Sequence, residues 1–130
     1  MKKIILYVWQ LPQNLLGLLV ILFTRAKYQN CCYVANSKRY FGVSLGNYII
    51  FGTGYWGYSK KDLLHEMGHQ KQSLYLGPLY LIIIGLPSFC GNIFDRVFHK
   101  KWLSARRIKW YYSQPWEKWA DKLGGVRRWN

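Results

Sequence analysis

Acidic side chains are scarce in this sequence: five aspartates and glutamates stand against 19 lysines and arginines, for a formal net charge of +14. So one-sided a chain repels cationic partners and draws anionic ones, which leaves an anionic membrane or a nucleic acid as fitting surfaces. Cysteine is sparse as well. Cys31 and Cys32 are adjacent and Cys90 stands alone, an odd count without CxxC spacing, which argues against a disulfide scaffold and for a reducing compartment. Buried, small apolar roles suit these thiols. There is no internal repeat and no low-complexity tract. At 130 residues the chain has room for one hydrophobic core and little for a separate regulatory module. Disorder is excluded too, because 51% of the residues are hydrophobic and 18% aromatic.

What is present begins with Met1-Lys2-Lys3 and an apolar run over 4–23, interrupted by Gln10, Pro12, Gln13 and Asn14. Thr24-Arg25-Ala26-Lys27-Tyr28 follows without a small-x-small cleavage pattern, so the run reads as a retained segment. Its length approaches the ~20 residues of a spanning helix, and the polar residues around Pro12 suit a kinked or interfacial one equally. Tyr7 and Trp9 suit the headgroup layer. Residues 72–94 form a second stretch, free of charge, which qualifies by length as a membrane segment or as a core helix broken near Gly77-Pro78 and Gly85/Pro87.

Between these runs the periodicity changes. Residues 40–51 are rich in strand formers and divided by Gly46-Asn47, a dipeptide suited to a two-residue hairpin turn. Residues 28–35 add another short strand, and the glycine-rich link 52–57 ends the sheet. Ser59-Lys60-Lys61-Asp62 is a capping box, in which each end residue satisfies the other's backbone N–H, so a helix is expected from Lys60 through His69 to about Tyr75. Pro115 opens a last helix that Gly124-Gly125 stops. The expected fold is α+β: a small antiparallel sheet, with its hairpin near 38–52, packed on these two helices behind an apolar N-terminal helix.

The chemistry lies on the capped helix. His65-Glu66-Met67-Gly68-His69 is HExxH, and one helical turn between the histidines lets both imidazoles reach one metal ion, with Glu66 beside the open coordination position. Zinc is the expected ion, since it accepts imidazole and carboxylate and acidifies a bound water. Glu117-x-x-x-Asp121, on the helix that Pro115 opens, offers a third ligand in Glu117. One turn later, Asp121 can accept the free ring N–H of a ligating histidine. Of the five acids, Asp62, Glu66, Glu117 and Asp121 thus have roles, and only Asp95 does not. Tyr111, Tyr112 and His99 are candidate donors to a developing oxyanion, and His99 is the alternative third ligand. Gln72, three residues past His69, can touch the site from the next turn.

HExxH followed by Glu117-x-x-x-Asp121 resembles the gluzincin clan of zinc metallopeptidases, which includes thermolysin-like enzymes and the small minigluzincins. The resemblance implies a sheet whose edge strand binds extended peptide, an active-site helix and a later glutamate helix. It covers about half the chain, from the hairpin to Leu123. The longer metzincin motif is absent, since Gln72 and Tyr75 stand where it requires glycine and a third histidine. Neither apolar segment is explained by soluble gluzincins.

Had 72–94 crossed a bilayer once, the histidines and Glu117 would tend to face opposite sides. The segment is therefore expected to turn back, to pack beneath the site or to form a paired re-entrant helix; a metal centre within the membrane is the alternative. Arg96, Lys100, Lys101, Arg106, Arg107, Lys109, Arg127 and Arg128 favour the cytoplasmic face. Basic residues interleaved with tryptophan over 96–129 also suit phosphates and bases, but no nucleic-acid motif accompanies them. The reading is thus a membrane-associating helix over 1–24 and one zincin-like domain over 25–130, acting as a zinc peptidase on peptide or protein substrates. Its rival is a non-catalytic, basic membrane-binding protein with a structural metal site.

Overall fold

The computed structural model of the chain describes residues 1–54 and 57–129. These described residues form an α+β fold with six α-helices and a four-stranded sheet. Tyr55 and Trp56, in the glycine-rich link, lie outside the described residues.

The N-terminal run forms two helices, α1 (Lys2–Trp9) and α2 (Leu11–Thr24), bent by 81°. The elbow falls where the sequence places its polar residues. Pro12 sits in the first turn of α2, where its missing N–H costs nothing, and Gln10, Gln13 and Asn14 all turn inward and are buried.

The sheet comprises β1 (Lys27–Gln29), β2 (Cys32–Ala35), β3 (Tyr40–Leu45) and β4 (Tyr48–Thr53), in the order β1-β2-β4-β3. The expected hairpin is β3–β4, with Gly46 at φ 64° in its two-residue turn. The expected strand over 28–35 is itself a hairpin, reversed at Asn30 (φ 53°). The sheet is mixed rather than wholly antiparallel, because β4 runs parallel to β2. The physical reason is burial. Ile49, Ile50 and Phe51 are nearly inaccessible on both faces, so the most apolar strand takes the centre and leaves β3 at the edge. Phe51 stacks on Tyr58 at 4.3 Å and packs with Cys32 and Ile49 against Val34 and Leu63.

Helix α3 (Lys60–Leu76) starts at the expected box: Asp62 donates its backbone N–H to Ser59 Oγ (3.2 Å), and Ser59 donates its own to Asp62 Oδ2 (2.8 Å). The chain then bends at Gly77 (φ 54°), where a side chain would also overlap the Trp9 ring. After a 3₁₀ turn at Gly77–Leu79 it continues through a π turn, Leu81–Gly85, into α4 (Leu86–Phe98). The π turn accommodates Pro87, which has no N–H for a regular helical bond. Gly85 and Pro87 therefore do not break the segment, and only 6% of Leu81–Phe98 is buried, so it is not a core helix. Helices α5 (Ser104–Tyr112) and α6 (Pro115–Gly124) follow, and Gly125 (φ 73°) ends α6 in the left-handed conformation. The three cysteines are free.

Candidate metal centre

Helices α3 and α6 pack so closely that a Cβ on Gly68 would overlap the carbonyl of Ala120, and one on Gly124 the carbonyl of Leu64. This approach brings Glu117 onto the histidine pair. Glu117 Oε2 lies 3.0 Å from His65 Nε2 and 3.2 Å from His69 Nε2. All three residues are buried, and their ligand atoms fall within 4.8 Å of one another. His65, His69 and Glu117 thus form a group that can hold a metal ion.

Each ligand is oriented from behind. His65 Nδ1 is 2.7 Å from Asp121 Oδ1, and His69 Nδ1 is 2.6 Å from Gln72 Oε1. Both oxygens accept, so each ring donates from Nδ1 and turns Nε2 to the common point, where it meets Glu117 in the metal-free fold and would offer its lone pair to an ion. Gln72 is itself fixed, donating from Nε2 to the Trp116 carbonyl (2.8 Å). Ser88 on α4 donates to Glu117 Oε1 (2.6 Å); Tyr111, 3.0 Å from Ser88 Oγ, therefore donates to Ser88. Tyr112 places its ring edge-on to His65 at 5.1 Å. Arg128, past the end of α6, stacks on that tyrosine with Cζ 3.4 Å from the ring centre, and donates from Nε to Asp121 Oδ2 (2.7 Å).

The structure does not bring His99 into this group. Its Nδ1 meets Asp95 Oδ1 at 3.0 Å and its ring stacks on Trp102, while Asp95 also accepts two bonds from Arg107. Asp95, without a role in the sequence, is the anchor of that separate α4–α5 cluster.

Electrostatics divide the carboxylates. Burial raises the pKa of Glu117, but hydrogen bonds from His65 and His69 prevail and hold it well below the usual carboxylate range. Burial pushes Glu66 up, against the pull of the two histidines. Glu66 is buried, and among the described residues its Oε2 has no partner; its Oε1 lies 3.0 Å from where a Cβ would stand on Gly42 of β3. Burial lowers the pKa of His65, but its bonds to Asp121 and Glu117 outweigh that and lift it from 6.5 to about 9.

A pH dependence follows. Metal-free His65 is protonated at pH 7, and an ion must displace that proton. Metal affinity is expected to rise with pH up to about 9. Calorimetry in buffers of different ionisation enthalpy is expected to show about one proton or more released per ion at pH 7. In the metal-free fold the sign reverses: the stabilisation from protonated His65 is full below pH 6.5 and is lost as pH rises through about 9.

Ser88 and Arg128 are the residues whose place at this site sequence reasoning missed. Ser88 had a weak signal, an isolated hydroxyl in an uncharged helical run. Arg128 had none, since it reaches Asp121 only after the chain reverses at Gly125. Arg128→Ala is expected to weaken metal affinity about 10- to 100-fold by releasing Asp121. Arg128→Lys should recover only part of it, because an ammonium cannot both stack and bond in the guanidinium plane. Competition against a chromophoric chelator measures both.

No family model, curated protein or solved structure matches this chain.

Proposed function

We propose that the protein is a zinc-dependent, membrane-associated peptidase. The observation that carries this reading is the Glu66 carboxylate oxygen, buried and without a partner among the described residues, on the same helix as two of three ligand atoms that lie within 4.8 Å of one another. A charged group left so has a cost unless it meets something polar there, and a metal-bound water is what it fits.

Two neutral imidazoles and a carboxylate suit zinc and leave a fourth position open. When bound, zinc would polarise a water and a substrate carbonyl and stabilise the developing negative charge. The chain's own residues supply the rest. Glu66 takes a proton from the water as the water oxygen bonds to the carbonyl carbon and returns it to the amine nitrogen as the C–N bond breaks, a role helped by burial that raises its pKa. Asp121 and Gln72 hold the imidazoles in the tautomer the metal requires, while Ser88 and Tyr111 hold Glu117. Tyr112, against His65, is the better placed oxyanion donor, since the Tyr111 hydroxyl is engaged with Ser88. Gly42 sets the edge strand β3 beside Glu66 without a side chain between them, so an extended peptide can pair along β3 and present its carbonyl. The basic residues after α4 favour the cytoplasmic face for this machinery.

The test is metal content after purification without added metal. About one zinc per chain is expected, lost in His65→Ala and reduced in Glu117→Ala. A chain that takes up no ion from micromolar zinc overturns the proposal.

A further inference from the structure

Among the described residues the distribution of polarity is reversed. Of the nine largest fully buried side chains, six are polar: Gln10, Gln13, Asn14, Gln72, Ser73 and Glu117. Those from the N-terminal run bond to α3 and the hairpin turn. Gln13 Nε2 donates to Ser73 Oγ (2.9 Å) and the Gly77 carbonyl (2.8 Å), Ser73 donates to Gln10 Oε1 (2.7 Å), and Asn14 Oδ1 accepts from the Asn47 N–H (2.8 Å). Outward, the same helices present Ile4, Ile5, Leu15, Leu19, Leu22 and Phe23, with Phe23 86% exposed. Helix α4 has no buried residue and presents Leu86, Phe89, Ile93, Val97 and Phe98. A fold surrounded by water does the opposite. Polar groups paired inside and apolar side chains outside are how helices meet lipid.

Charge decides between lipid and a second copy of the chain as the occupant of these faces. Lys2 and Lys3 precede the first face, Arg25 and Lys27 follow it, and Arg96, Lys100 and Lys101 lie at the end of the second. With a net charge of +14, these borders repel another copy and attract anionic headgroups. Leu81–Phe98 is the one described helix long and apolar enough to cross a membrane. Its 18 residues extend about 27 Å, close to the ~30 Å hydrocarbon layer. Ser88, about 10 Å along it, is the residue bonded to Glu117. Exposed Lys60, Lys61, Lys118 and Lys122 keep the starting end of α3 and the outer side of α6 in water.

We infer that the outer faces of α1 and α2 and the Leu81–Phe98 segment are immersed in the acyl chains of an anionic bilayer. The Ser88–Glu117 contact then sets the metal centre against that layer, and its substrate is a polypeptide segment inserted in the same membrane. The membrane placement stands independently; the substrate class rests on the peptidase reading.

Two native thiols test the placement. Cys31, in the β1–β2 turn, and Cys90, midway along Leu81–Phe98, are both exposed on the fold. The full chain is reconstituted in phosphatidylcholine vesicles containing phosphatidylglycerol and treated with a charged, membrane-impermeant maleimide. Cys31 is expected to label freely and Cys90 about tenfold more slowly or less, with full labelling of both after denaturation. Equal rates overturn the placement. So does a detergent-free, lipid-free oligomer in which Cys90 is equally shielded, because a second copy then covers the face. For the substrate, the zinc-loaded protein in these vesicles is given a randomised set of lysine-flanked apolar peptides inserted in the bilayer, and a randomised set of polar peptides in the buffer. Mass spectrometry is expected to find products from the inserted set. Products chiefly from the polar set overturn the substrate class. Products from neither, with Cys90 shielded, overturn the peptidase reading and the substrate class together while the placement holds.

Discussion

On the peptidase reading proposed above, Glu66→Gln is expected to lower peptide hydrolysis about 10²- to 10⁴-fold, the usual contribution of a general base, while metal binding is kept. The amide is nearly isosteric with the carboxylate, so the packing beside Gly42 is preserved. His65, His69 and Glu117 are untouched, so metal stoichiometry should match that of the unsubstituted chain. What is lost is the oxygen that takes the proton. Hydrolysis and metal content measured on one preparation separate the two readings of the site. Lost activity with retained zinc supports a catalytic centre. If the variant behaves as the parent in both, the ion is structural and the protein a basic membrane binder.

The second large effect is expected from a residue that touches no ligand. Gly68→Val places side-chain atoms where the Ala120 carbonyl stands, and because that is backbone, no rotamer change relieves it. α3 and α6 must separate, costing about 3 kcal/mol or more and drawing Glu117 away from both histidines. Thermal melts should show the lost stability, and zinc affinity should fall at least about 100-fold. Gly68→Ala, with the same Cβ, should show the effect in milder form and keeps the test open if the valine variant does not fold. Gly91→Ala on α4 is the control: its nearest neighbour, the Trp116 ring, is 4.0 Å away. It is expected to gain about 0.5–1 kcal/mol from reduced backbone freedom. Equal behaviour of the two alanine variants would mean that the helices do not approach as closely as described.

Much of the site was legible because its information is local. The Ser59/Asp62 box begins α3, HExxH sets two imidazoles on one face of it, and Pro115 with Gly125 brackets the helix carrying Glu117 and Asp121. Gly46-Asn47 marks the hairpin turn for the same reason: a two-residue reversal depends on the residues that make it. Strand order is not local. The parallel pairing of β2 with β4 arises from competition among strands for the centre of the sheet, which Ile49-Ile50-Phe51 wins by burial.

The two apolar segments show the same division. Their composition is written in the chain, but the direction in which Gln10, Gln13 and Asn14 turn depends on Ser73, Gly77 and Asn47, which lie far along the sequence. By itself the sequence determined the charge, helices α3 and α6 and the side chains that could hold a metal, because caps and motif spacing act over a few residues. Only the tertiary structure decided that Ser88 supports Glu117, that Arg128 supports Asp121, and that His99 belongs to Asp95 instead. Those pairings depend on which helices come into contact, and the Gly68–Ala120 approach is what brings α3 and α6 together.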